Sequence, residues 1–209
     1  MNASPHAERF VGEIAGTGTA SGVRLVIGAW SASPLGTFAD AMVEEADGRR
    51  VLVAPSQAVA AYVFSVYSFD EVVVTPVGTV RTPAGLALRC SLLSVELAIG
   101  GRDLLGRLLR SLPRVLSTSP RWAAAVDPIC GVVLRDVRTR ATTSGADEFY
   151  GATDRHRLTG VSATWRGRDL GPMAAVAPPV RFGGSSTPRR PSIVALTTTV
   201  RRTSTTRRG

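Results

Sequence analysis

The tightest constraint on this chain lies between residues 37 and 77. TFADAMVEEA runs into Asp47-Gly48, RRVLVA follows, and then come PSQAVAAYVFSVY and DEVVVTPV. Two strand-like runs meeting at aspartate-glycine predict a hairpin, because a type I′ turn needs positive φ at both central residues. Beyond it, Val59, Tyr62, Val63, Val66 and Tyr67 recur at i, i+3, i+4, i+7 and i+8, the stripe of a helix laid on a sheet. The segment therefore reads as strand, turn, strand, helix, strand.

The flanking sequence extends the pattern. VRLVIGAW (23–30) reads as a strand ending at Trp30, and Pro34 and Gly36 break the loop after it. Gly78 and Pro83-Ala84-Gly85 mark turns, and LALRCS and LLSVELAIG form a strand pair. In the second, Leu93, Val95, Leu97 and Ile99 alternate with Ser94, Glu96 and Ala98, one dry face and one wet, as antiparallel sheets allow. Gly100-Gly101 ends that strand, and Asp103 is placed to cap a helix over DLLGRLLRSLPRVL. Its leucines at 104, 105, 108, 109 and 112 form a stripe expected to pack on the sheet, and Pro113 should end or kink it. Ser119-Pro120 can start a short helix, RWAAAV. VVLRDVRTRAT, EFYGATDRHR, LTGVSATWRG and PSIVALTTTV read as the remaining strands.

Strands that arrive as hairpins rather than as alternating β-α-β units predict an α+β fold. The expected architecture is a curved, mainly antiparallel sheet or barrel with two helical insertions packed on it. Residues 1–22 read as a flexible lead-in or edge strand, since Gly16, Gly18 and Gly22 precede a strand instead of opening a helix over a phosphate. Residues 23–200 form one domain, and 201–209 read as a disordered basic tail.

Charge sharpens this division. All 25 basic residues are arginine and none is lysine, a composition that fits the codon bias of a GC-rich genome. Residues 1–179 are nearly balanced at +2, whereas residues 180–209 carry +7. Such a tail could meet nucleic acid or another anionic partner or surface. No apolar run approaches the roughly 20 residues that span a bilayer, and no signal-peptide pattern opens the chain, so a cytoplasmic location is expected. Cys90 and Cys130 read as buried thiols, with neither a disulfide framework nor a metal spacing.

The densest polar cluster is Asp147, Glu148, Tyr150, Asp154 and His156. On one strand, period-two alternation places Tyr150, Asp154 and His156 on the same face. An aspartate beside a histidine can fix its tautomer and raise its basicity, which suits an acid–base pair. The segment from Arg181 to Arg190 is an anion-binding candidate, with Arg181, Arg189 and Arg190 supplying charge and Ser185 and Ser186 lying in a possible amide concavity. No nucleophile elbow, metal-ligand spacing or Walker loop is present, and no cofactor is implied.

Three stretches, GTFADAMVEEADGRRVLVAPS, FYGATDRHRLTGVSATWRGRDLG and PPVRFGGSSTPRRPSIVALTTTV, resemble a group of uncharacterised proteins from GC-rich actinobacteria. That resemblance implies no particular activity. In layout, the paired strands with two helical insertions are similar to acetoacetate decarboxylase-like barrels. The catalytic step of that family needs a lysine amine, and this sequence has no lysine, so a shared fold would not imply a shared reaction. The leading expectation is a module whose curved sheet encloses an unknown, partly apolar small molecule, with Tyr150, Asp154 and His156 near the mouth. An enzyme using Asp154 and His156, and nucleic-acid or anionic-surface binding through the arginine-rich C-terminus, are the alternatives.

Overall fold

Thirteen strands in a single curled sheet carry the structure, a computed structural model that describes residues 7–111, 140–143, 146–183 and 187–202. Side chains are described within those ranges except at 7, 140–150, 201 and 202. The expected helix at 121–126, most of the strand predicted from 132, Cys130 and the end of the chain beyond 202 lie outside the described residues. In chain order the elements are β1 (Ala7–Thr19), β2 (Arg24–Ala32), β3 (Phe38–Glu44), β4 (Arg50–Ala54), α1 (Gln57–Phe64) and β5 (Glu71–Val74). β6 (Gly78–Thr82), β7 (Gly85–Arg89), β8 (Leu93–Arg102) and α2 (Leu104–Ser111) follow. β9 (Arg140–Thr143), β10 (Ala146–Trp165), β11 (Arg168–Asp169), β12 (Met173–Ala174) and β13 (Ser192–Arg202) complete the set.

The main path through the sheet runs β5-β4-β3-β2-β1-β13-β10-β8-β7-β6. Among the described residues every pairing is antiparallel except β4 with β5, which α1 links as a single crossover. The fold is α+β, a curled half-barrel with two helices. Residues 75–77 join its two end strands directly, because β5 closes one end of the path and β6 the other.

One apolar cluster fills the inside of the curl. Ile27, Ala41 and Val53 from one half of the sheet meet Leu86, Leu88, Val95 and Leu97 from the other half. Strands so far apart in the sheet order can share a cluster only if the sheet bends around it. A second cluster covers the outer face, where Val59, Ala60 and Val63 of α1 pack with Leu52, Ala54, Val176, Val180 and Phe182. The predicted stripe thus buries Val59, Val63 and Val66 as expected. Ser56 caps α1, its Oγ accepting from the Val59 amide at 3.3 Å.

Several expectations need correction. The lead-in is not an edge strand over residues 7–19: β1 is central and bonded to β2 on one side and β13 on the other. Its glycines mark close approach. A Cβ on Gly18 would lie 2.2 Å from the Ala175 carbonyl oxygen, so only glycine lets β12 cross there. The Asp47-Gly48 hairpin exists, but only Gly48 has positive φ, at 93°. Gly48 N–H donates to the Glu45 carbonyl at 2.9 Å, and the Glu45 amide bonds Arg49 O at 2.8 Å, a type I turn followed by a left-handed glycine. Positive φ at both central positions occurs instead at Arg166 (50°) and Gly167 (78°), between β10 and β11.

α2 also departs from its reading. Asp103 caps it as expected, Oδ1 accepting from the Gly106 amide at 2.8 Å. Its leucine stripe faces the sheet only in part, since Leu104 and Leu108 are 84% and 59% exposed while Leu105 and Leu109 are half-buried. The helix touches β10 through Gly106, where a Cβ would stand 2.0 Å from the Arg155 carbonyl oxygen. Cys90 is half-buried, its Sγ accepting from the Leu93 amide at 3.2 Å. EFYGATDRHR and LTGVSATWRG are one unbroken strand, β10, and Gly78, read as marking a turn, opens the edge strand β6.

Candidate functional site

The concave side of the half-barrel opens as a groove of about 1020 Å³. Alternation along β1 sends Arg9, Val11 and Glu13 into it, beside Ala195 and Thr197 of β13 and Ala29 and Ala39 of β2 and β3. Val77, Thr79 and Arg81, from the edge strand and the residues leading into it, form the facing wall. Across the opening Arg81 grips Glu13 with two hydrogen bonds, Nε–Oε2 at 2.6 Å and Nη2–Oε1 at 3.2 Å. Arg9 is exposed at the rim and makes no ion pair among the described residues. A groove with an apolar floor, a neutralised Arg–Glu pair and one uncommitted guanidinium suits a molecule with an apolar body and one anionic group.

β10 passes this groove and contributes Thr153 to its lining, but neither Asp154 nor His156. The register explains why. Ala152 pairs with Leu196 and Asp154 with Ala195, so Thr153 is the extra residue of a bulge, its Oγ1 bonded to Ala195 O at 3.1 Å. The alternation that puts Tyr150 in step with Asp154 and His156 is broken there. Tyr150 pairs through its backbone with Thr198, whereas Asp154 and His156 pair with Ala195 and Ile193.

Asp154 and His156 do lie together, with Nε2 3.6 Å from Oδ2. His156 Nδ1 is 2.9 Å from the Gly100 carbonyl oxygen, which favours a proton on that nitrogen. The carboxylate, however, is held by Arg102 through Nε–Oδ1 at 2.8 Å and Nη2–Oδ2 at 2.7 Å. This hydrogen-bonded guanidinium, with help from the Arg155 amide and against partial burial, lowers the Asp154 pKa below the ordinary carboxylate value.

The Arg181–Arg190 segment is divided. Ser185 and Ser186 lie outside the described residues, and Arg189 and Arg190 are exposed. Arg181 is also exposed, yet it is tied to a buried acid: its amide donates to Glu44 Oε2 at 2.7 Å and its Nε to Oε1 at 3.2 Å. Glu44 is fully buried and also meets Arg24 Nη2 at 3.0 Å. One carboxylate therefore ties β2, β3 and the segment after β12 together. Arg9, Glu13 and Arg81 are absent from the sequence-based candidates because glycines at 12, 16 and 18 disguise β1 as a loop. Read as a strand, that stretch shows the alternation of 9, 11 and 13 directly.

Among the described residues no group of three or more histidine, cysteine or acidic side chains gathers as a metal site. Among the same residues no helix is long and apolar enough to cross a membrane. Fold and groove together define a curled-sheet α+β protein with a concave, Arg-rimmed cleft. The chain is similar in structure to acetoacetate decarboxylase from Legionella pneumophila subsp. pneumophila str. Philadelphia 1, at a TM-score of 0.45 and 9% identity over 97% of this chain and 88% of that one. No protein-family model matches the sequence, and no curated protein matches it.

Proposed function

We propose that the protein is a small-molecule-binding module that takes a partly apolar anion, such as a carboxylate or phosphate ester, in the concave groove. The observation that carries this is the position of Arg9, uncommitted at the rim above a floor of Val11, Ala29, Ala39 and Ala195. Burial of a short hydrocarbon body against that floor supplies about 25 cal/mol per Å². A charge-assisted bond to Arg9 adds orientation and about 1.5–3 kcal/mol.

Titration with hexanoate, followed by amide shifts of β1 and β13, tests the reading. Saturable shifts at residues 9–13 and 195–197 are expected, with affinity falling about tenfold in Arg9→Ala. Unperturbed amides at millimolar hexanoate, or an Arg9→Ala variant that binds as well, would reject it.

A second reading, acid–base chemistry by Asp154 and His156, draws on their 3.6 Å separation and on the groove-lining Thr153 next to them. It predicts that His156→Asn retains hexanoate binding and the fold but loses any turnover of a bound ester.

A further inference from the structure

We propose that a second site lies on the opposite face of the sheet, a small cavity beneath α1 that shares Trp30 and Phe38 with the groove and binds a primary alkylammonium group. The cavity measures about 60 Å³. Its walls are apolar and aromatic, including Phe10, Trp30, Phe38, Tyr62 and Met42. Two polar side chains line it as well. Asp40 is 2% exposed, and its one hydrogen bond among the described residues comes from the Trp30 indole Nε1 to Oδ1, at 3.0 Å. Thr198 is 5% exposed, and its Oγ1 is buried with no hydrogen-bond partner among the described residues.

This combination is unusual for structural packing. Buried carboxylates are normally paired with a cation, and buried hydroxyls are normally bonded. No arginine lines this cavity, unlike the sites of Glu44 and Asp154. Burial pushes the Asp40 carboxyl up to about 7, only partly opposed by the Trp30 hydrogen bond. A bound cation supplies what the fold leaves out. An ammonium can donate to the Asp40 carboxylate, while aromatic faces favour positive charge next to them. The hydroxyl of the wall residue Tyr62 donates to Glu8 Oε2 at 3.0 Å, which places a second acidic side chain beside the aromatic wall. One water site needs roughly 10–15 Å³, so the space takes a ligand of roughly four heavy atoms at most.

The test is a titration of the full chain with ethylammonium chloride at about pH 8, where the amine is protonated and an Asp40 titrating near 7 is ionised. The Trp30 indole N–H resonance is the readout, because that proton is bonded to Asp40. Sodium chloride at matched ionic strength and ethanol serve as controls. A saturable shift in the millimolar range is expected with ethylammonium, consistent with what three heavy atoms can support. Neither control should reproduce it. Asp40→Asn, which keeps the size of the side chain and removes its charge, should abolish the saturable response. Equal saturation by ethanol would show an apolar void without cation selectivity and overturn the proposal. So would a response shared by sodium chloride, one unchanged in Asp40→Asn, or no saturation by about 100 mM.

Discussion

At the scale of single residues, buried acids in this protein follow opposite rules. Glu44 sits at zero exposure but touches two guanidinium groups, whereas Asp40 is equally enclosed with only an indole. The consequence for Asp40 is a pH effect on stability. Its carboxyl keeps a proton to about pH 7 when folded and only to about pH 4 when unfolded. Between these values the native state holds more protons, so stability is full below the window and falls as pH rises through it. About three units correspond to on the order of 4 kcal/mol. Asp70, lowered to about 2 mainly by the Arg50 hydrogen bond, and Asp154, also lowered, act below this window and in the opposite sense. Urea midpoints collected across about pH 4 to 8 should decline for the native chain and stay flatter for Asp40→Asn. Parallel curves for the two proteins would remove the assignment.

Among the elements, β10 and α2 show what local pattern leaves undetermined. The leucine spacing of α2 has the right period for a helix, and a helix forms. The period does not say which side meets the sheet. Tertiary placement chose Gly106, because only a side without Cβ lets the helix axis come down onto the Arg155 carbonyl. Gly106→Ala sets a favourable helix propensity of about 1 kcal/mol against an overlap that must lift α2. Overpacking of this kind costs about 1–3 kcal/mol, so net destabilisation is expected in denaturant unfolding. A more stable alanine variant would mean that the helix is not seated as described. In β10 the sequence shows the alternation on each side of residue 153 but not the bulge itself. Bulges depend on the partner strand, here β13, more than 35 residues away in sequence.

For the molecule as a whole, closure rests on a few long-range polar links as well as on the core. Glu44 joins Arg24 of β2 to Arg181, more than 130 residues further along the chain. Removing the charge by Glu44→Gln leaves Arg24, itself 3% exposed, without its counter-ion. A loss of about 3–5 kcal/mol is expected, read as a drop in urea midpoint with an unchanged slope. A variant within about 0.5 kcal/mol of the native chain would show that the triad is dispensable. The exposed Arg81–Glu13 link is a contrast: it borders the groove, but a pair this accessible contributes no more than about 1 kcal/mol.

The sequence alone determined the fold class, the hairpin-dominated order, the buried stripe of α1 and the Asp103 cap, because each depends on neighbours within a turn or a strand. It brought Asp154 and His156 into view as a pair for the same reason. Only the tertiary structure decided that 7–19 is a central strand, that Tyr150 is out of step with Asp154, and that Arg9 and Asp40 each look into a cavity. Those outcomes depend on which strands lie side by side and on where glycine lets backbones touch, and the responsible partners are separated by up to nearly the full length of the chain.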